Sequence, residues 1–173
     1  KEIKKLVKVD YFEPHIPCYL TDNIDLNDFD NALQKNIFVG AKLYPANATT
    51  NSKYGVTNIE KIFPALELLI KNDKPLLVHG EKIAEGVDLF DREKQFIDDE
   101  LLRIVLKFPS LKIIFEHVSS KYGADFIVQT KNLAGTITPH HMLLTKKDVF
   151  KESLYGHHFC MPIVKEEEDL LAL

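Results

Sequence analysis

No apolar run in the sequence approaches the roughly 20 residues needed to cross a membrane. Cysteine is scarce: Cys18 and Cys160 are the only two. Two cysteines do not make a disulfide framework, so a reducing cytosol is the default compartment. Basic charge is not in excess either. Lys and Arg total 22 against 26 Asp and Glu, for a net charge of −4. No broad basic surface follows, and nucleic acid is not an expected partner. The opening stretch Lys1–Val9 is apolar only between lysines and is followed by no small-residue cleavage site, so it does not read as a signal peptide. The chain starts at Lys1 rather than Met, which suggests part of a longer gene product. Repeats, low-complexity tracts and linkers are also lacking.

What the sequence has is a regular alternation. Five short apolar runs, His15–Thr21, Phe38–Tyr44, Pro75–His79, Leu111–His117 and Leu133–Thr138, have strand length and near-continuous apolarity. That pattern suits parallel strands covered on both faces. Helical periodicity lies between them. Asn58 to Asn72 places Ile59, Ile62, Phe63, Leu66, Leu69 and Ile70 on one face, with a capping-box spacing at Thr57 and Glu60 and a kink expected at Pro64. Asp91 to Phe108 repeats the pattern, and Leu26–Lys35 and Ser120–Thr130 read as shorter helices. Strand, helix, strand, repeated, predicts a parallel α/β fold. Pro45–Thr57 and Gly80–Phe90 read as long functional loops.

The candidate reactive residues recur in phase with those units. Lys42 lies near the end of one run, His79 ends the next, and His117 ends the one after, 37 and 38 residues apart. Three consecutive strands would thus deliver a Lys and two His to one carboxyl-terminal rim, where parallel α/β barrels build their active sites. Two neutral imidazoles that converge suit zinc or a similar ion. A buried ammonium beside them would repel the metal, and burying it unpaired is costly. Carboxylation by carbon dioxide would turn it into an anionic ligand able to bridge two metals. Taken singly, a strand-end Lys reads as a snorkelling side chain and a His after a strand as a hydrogen-bonded structural residue. Spacing alone leaves both readings standing.

At Lys42 the sequence meets a family pattern. The segment Gly40–Ser52 (GAKLYPANATTNS) closely resembles the lysine strand and following loop of the shorter, monofunctional bacterial dihydroorotases of the amidohydrolase superfamily. LLVHGE at 76–81, FDRE at 90–93, FEHVSSK at 115–121, GTITPHH at 135–141 and HFCMPIVK at 158–165 resemble later family segments in order and spacing. The resemblance runs from about Pro17 to the end. It implies a TIM-type (β/α)8 barrel, of which residues 1–173 would be a part, about strands 3 to 7. It also implies two Zn²⁺ ions bridged by carboxylated Lys42, with His79 and His117 as ligands of the more exposed ion. Thr49 and Thr50 would sit on a mobile loop that closes over the substrate, and the backbone of Met161 would touch the pyrimidine ring. The implied reaction is reversible hydrolysis of dihydroorotate to N-carbamoyl-L-aspartate by a metal-held hydroxide, in a cytoplasmic homodimer with no membrane or nucleic-acid partner.

Quieter roles fall to other residues. His141 is expected at the rim or behind the ligands. His15, His140 and His157 should be structural or exposed, Glu81 and Glu116 should support the ligands, and Cys160 should be a small buried residue. The sequence departs from the family where it lacks the amino-terminal His-x-His strand with its nearby Arg and the late Asp strand. A complete barrel takes about 250 residues. The alternatives are another cyclic-amide hydrolase of hydantoinase or allantoinase type, and a non-catalytic dihydroorotase-like module.

Overall fold

The computed structural model describes residues 11–173, together with Leu6. The opening stretch Lys1–Val9 therefore lies outside the described residues, Leu6 excepted. All five predicted runs contain a strand: β1 (Cys18–Tyr19), β2 (Ala41–Leu43), β3 (Leu76–His79), β4 (Ile113–Glu116) and β5 (Leu133–Gly135). They form one parallel sheet in chain order, β1 to β5. Sequential order follows from the strand–helix repeat, because each crossover returns the chain to the edge it has just left.

Alternation sorts the two faces of the sheet. Ala41, Leu43, Leu76, Val78, Ile113 and Phe115 are buried on the helix-covered face. They pack with Ile62, Leu66, Leu69, Phe96, Leu101 and Ile104 into one continuous core. The opposite face carries a row in register: Tyr19, Lys42, Leu77, Ile114 and Ala134. His79 and Glu116 pair one step higher on that same face.

The helices mostly follow the periodicity, with four differences. Helix α1 (Leu26–Gln34) matches its predicted span and is capped by the Asp25 side chain. The predicted Asn58–Asn72 helix is a 3₁₀ turn (Ile59–Ile62) followed by α2 (Phe63–Lys71). Pro64 falls in the first turn of α2, where its missing N–H has no partner to lose, rather than in a helix interior. Asn58, not Thr57, caps this segment; Thr57 is held by Asp22 instead. The Asp91–Phe108 helix is helical throughout but contains a π segment, Ile97–Leu101, between α3 (Arg92–Phe96) and α4 (Leu102–Lys107). Helix α5 (Lys121–Gln129) starts on a Ser120 cap. Beyond β5, the chain forms α6 (Lys146–Val149), whose Val149 joins Ile163 and Val164 in a small second cluster, and α7 (Glu167–Ala172), which lies against α5.

Candidate metal centre

Lys42 is central in β2, His79 is the last residue of β3, and His117 follows the last residue of β4. His79 and His117 thus lie at the carboxyl-terminal end of the sheet, while Lys42, level with Leu77, sits one step below His79 on the same face. His79 Nδ1 faces His117 Nε2 at 3.1 Å, with ring centroids 4.7 Å apart and steeply tilted. The Lys42 amine lies 4.7 Å from the centre of the Tyr44 ring, and that ring lies 5.6 Å from His79. Gly80 makes the close approach of β3 and β4 possible: a Cβ there would sit 1.9 Å from the Phe115 ring.

Hydrogen bonding fixes which nitrogens face inward. His79 Nε2 bonds the buried Glu81 carboxyl at 2.8 Å. With the proton on that nitrogen, Nδ1 presents a lone pair to His117. A carboxylate behind a ligand histidine is the usual device for setting its tautomer and raising its basicity. His117 Nδ1 is buried with no hydrogen-bond partner. Without a metal, a proton on His117 Nε2 must fill the gap between the rings, and Nδ1 is then a buried acceptor left bare. A cation between the rings would instead take both facing lone pairs, His79 Nδ1 and His117 Nε2. The donor pair therefore fits a metal of zinc type.

Electrostatics point the same way. Burial, then His79 and Lys42, push the His117 imidazole down to about 3, so the ring stays neutral at any ordinary pH. Burial also lowers the Lys42 amine, an effect that Glu116 opposes. Lys42 is not unpaired, as the sequence suggested: its amine forms an ion pair with Glu116, its neighbour across the sheet face. The cost of burying it is thus met by a carboxylate that spacing alone did not associate with it. Tyr19 stacks on Tyr44 and has a buried, unpartnered hydroxyl. Burial raises both phenols, with Tyr44 adding to the effect on Tyr19 and Glu116 to that on Tyr44. Among the described residues, no three His, Cys, Asp or Glu are grouped to hold an ion by themselves. Lys42 stands beside the two imidazoles as an ammonium paired with Glu116, and an ammonium is not a metal donor.

The remaining candidates stand apart from this cluster. The loop from Pro45 to Thr57 is bonded mostly within itself, with only its last residue anchored to Asp22. Thr49 N donates to Ser52 Oγ at 2.9 Å, and Ser52 Oγ donates to Thr49 O at 2.6 Å. Asn47 and Asn51 take left-handed φ values of 63° and 60°, which Asn tolerates well. Thr50 is exposed and Thr49 half-buried. Among the described residues, no hydrogen bond joins either side chain to Lys42, His79 or His117. Met161 packs on the second cluster, and its link toward the centre is indirect. The adjacent Pro162 carbonyl accepts from His141 Nε2 at 2.9 Å. His141 is buried, and burial lowers it to about 4. His15 and His157 are exposed and His140 is half-buried, as expected. Cys160 is exposed rather than buried, because the turn around it contributes little to the second cluster.

Sequence reasoning did not single out Tyr19 and Tyr44, and it gave Glu116 only a supporting role. The signal was there in part. Tyr44 is two residues beyond Lys42 on the same face, and Glu116 is the register partner of His79.

Relatives match this arrangement over nearly the whole chain. The dihydroorotase of Coxiella burnetii is 45% identical over 163 residues, covering 94% of this chain. The chain thus matches part of a dihydroorotase. It spans about half the length, 47%, of that curated dihydroorotase. A dihydroorotase crystal structure from Campylobacter jejuni superposes with a TM-score of 0.87 at 37% identity, covering 98% of this chain and 49% of that one. An L-hydantoinase from Arthrobacter aurescens shares the fold at a TM-score of 0.69 but only 17% identity, over 91% of this chain and 39% of its own. No family model matches the chain. The five parallel strands are thus part of an amidohydrolase-type α/β barrel, as the dihydroorotase resemblance implied. No helix among the described residues is long and apolar enough to cross a membrane.

Proposed function

We propose that the protein carrying this chain is a dihydroorotase that reversibly hydrolyses (S)-dihydroorotate to N-carbamoyl-L-aspartate. Residues 1–173 would contribute about strands 3 to 7 of its barrel. The observation that carries the reading is the pair of inward-facing imidazoles, His79 and His117, at the strand ends beside buried Lys42. The dihydroorotase relatives supply the substrate class, and the low identity to the hydantoinase disfavours that alternative.

In this reading, His79, His117 and a carboxylated Lys42 would be the residues of this chain that hold Zn²⁺. Bound there, the ions would polarise the ring carbonyl and make water nucleophilic at neutral pH. Glu81 keeps His79 in the tautomer that presents Nδ1. Thr49 and Thr50 donate hydrogen bonds to the substrate when their loop closes, and closure excludes water. The Met161 backbone contacts the pyrimidine ring, with its side chain anchored on the second cluster. Lys42 must leave Glu116 for its amine to be carboxylated, so Glu116 holds the metal-free form of the site. The remaining ligands, the Arg that binds the substrate carboxylate and the acid/base Asp come from outside these 173 residues. A cytoplasmic homodimer completes the proposal, supported by the family resemblance.

The test is turnover by the full-length protein on dihydroorotate, hydantoin and allantoin. Preference for dihydroorotate by several orders of magnitude supports the reading. Preference for either other ring, or no turnover by zinc-loaded protein, overturns it.

A further inference from the structure

His117 has a left-handed backbone, φ 47°. For a residue with a Cβ this conformation is strained and persists only where the surroundings impose it. Two sets of bonds impose it. On one side, His117 N donates to Thr136 Oγ1 and Val118 N donates to Thr136 O, each at 2.9 Å. On the other side stands Glu93, 1% exposed, projecting from α3. Its Oε2 accepts from Ser119 N at 2.8 Å and Ser119 Oγ at 2.6 Å, and its Oε1 accepts from Ser120 Oγ. Ser119 Oγ in turn accepts from the buried Lys165 amine at 2.6 Å. Gly123 leaves room for the carboxyl, since a Cβ there would lie 2.6 Å from Oε1.

We propose that Glu93 is a positioning residue for the metal centre. Its carboxyl, bonded to Ser119 and Ser120 and reached by Lys165 through Ser119, holds the 117–120 turn so that His117 Nε2 faces His79 Nδ1. The physical reason lies in the number of bonds. A single carboxyl fixes three donors within the three residues after His117, and the Thr136 contacts fix the two amides before them. The strained φ is therefore determined from both sides. Glu93 touches neither imidazole and acts only through the turn. Lys165 extends the same chain to the Pro162–Lys165 segment next to Met161, so one buried network spans the ligand turn and the proposed ring contact. This inference rests on the metal reading of His79 and His117.

The test uses the metal-free full-length protein and the variants Glu93→Gln, Ser119→Ala, His117→Ala and Leu66→Ala. Amide hydrogen exchange at 118–120 reads the turn, and Co²⁺ titration followed by visible absorption reads the ligands. Outer partners of metal ligands are typically worth 10- to 100-fold in affinity. Glu93→Gln and Ser119→Ala should weaken Co²⁺ binding by about that factor, alter the absorption spectrum and speed exchange at 118–120. Leu66→Ala, equally buried but in the helix-covered core, should lower Tm and leave both affinity and spectrum unchanged. Should Glu93→Gln fail to fold, Ser119→Ala decides. Unchanged affinity and spectrum in the folded clamp variants, or the same change in Leu66→Ala, overturns the positioning role. Unchanged Co²⁺ binding in His117→Ala instead overturns the metal reading, and the proposal with it.

Discussion

Two turns above the sheet face are built on opposite plans. The turn at 117–120 is tied outward, to Thr136 on β5's continuation, to Glu93 on α3 and, through Ser119, to Lys165. The loop from Pro45 to Thr57 is tied mostly inward, Ala46 to Val56, Asn47 to Ser52, Thr49 to Ser52 and Gly55 to Ser52, with Thr57 at its end anchored to Asp22. An outward-tied turn cannot move without breaking buried hydrogen bonds, each of which costs about 1–3 kcal/mol when a partner is left unsatisfied. A loop bonded to itself can be carried as a unit, because its bonds travel with it. The first plan suits a metal ligand, which must be preorganised. The second suits a cover that has to open and shut.

This contrast is open to attack at several points. The largest effect is expected at Lys42. Lys42→Ala in the full-length protein should lower metal content and reduce turnover by more than about 100-fold, beyond what loss of an outer partner does. Unchanged metal content would remove the bridge from the account. Next come the loop threonines. Thr49→Ala and Thr50→Ala should leave metal content and Co²⁺ spectra intact while lowering kcat/KM about 10-fold each, the worth of one hydrogen bond to a charged group. A loss of metal in either variant would show that the two turns are not separate in role.

The smallest expected effect concerns pH. His141 is neutral in the fold down to about 4, against 6.5 for a free imidazole. The unfolded chain binds a proton first as pH falls. Its contribution to stability is therefore complete above about 6.5 and is lost progressively toward about 4. His141→Gln should flatten the dependence of Tm on pH across that window. An unaltered slope would mean that the imidazole between Thr138 and Pro162 is not protected from protonation.

Much of this was legible in the sequence because it is local and periodic. The five apolar runs became the five strands, and one-unit phasing was enough to bring His79 and His117 into contact. What escaped was set by partners distant in sequence. Glu116 answers the Lys42 charge from 74 residues away. Glu93 meets its serines 26 and 27 residues on. The π segment at Ile97–Leu101 keeps the same apolar face toward the core and leaves little trace in the pattern. Pro64 read as a kink because the helix start was set too early, at Asn58 rather than Phe63. The Thr49–Thr50 loop was legible as a loop, but its bonding to itself depends on Ser52 hydroxyl geometry that composition does not encode.

The central claim is that Lys42, His79 and His117 act together as metal donors, with Lys42 released from Glu116 and carboxylated. The most direct measurement is ¹³C NMR of the full-length protein loaded with zinc in the presence of ¹³C-bicarbonate. A carbamate resonance is expected in the wild-type protein and should vanish in Lys42→Ala. A zinc-loaded wild-type protein without that resonance, or a resonance that survives Lys42→Ala, would contradict the account.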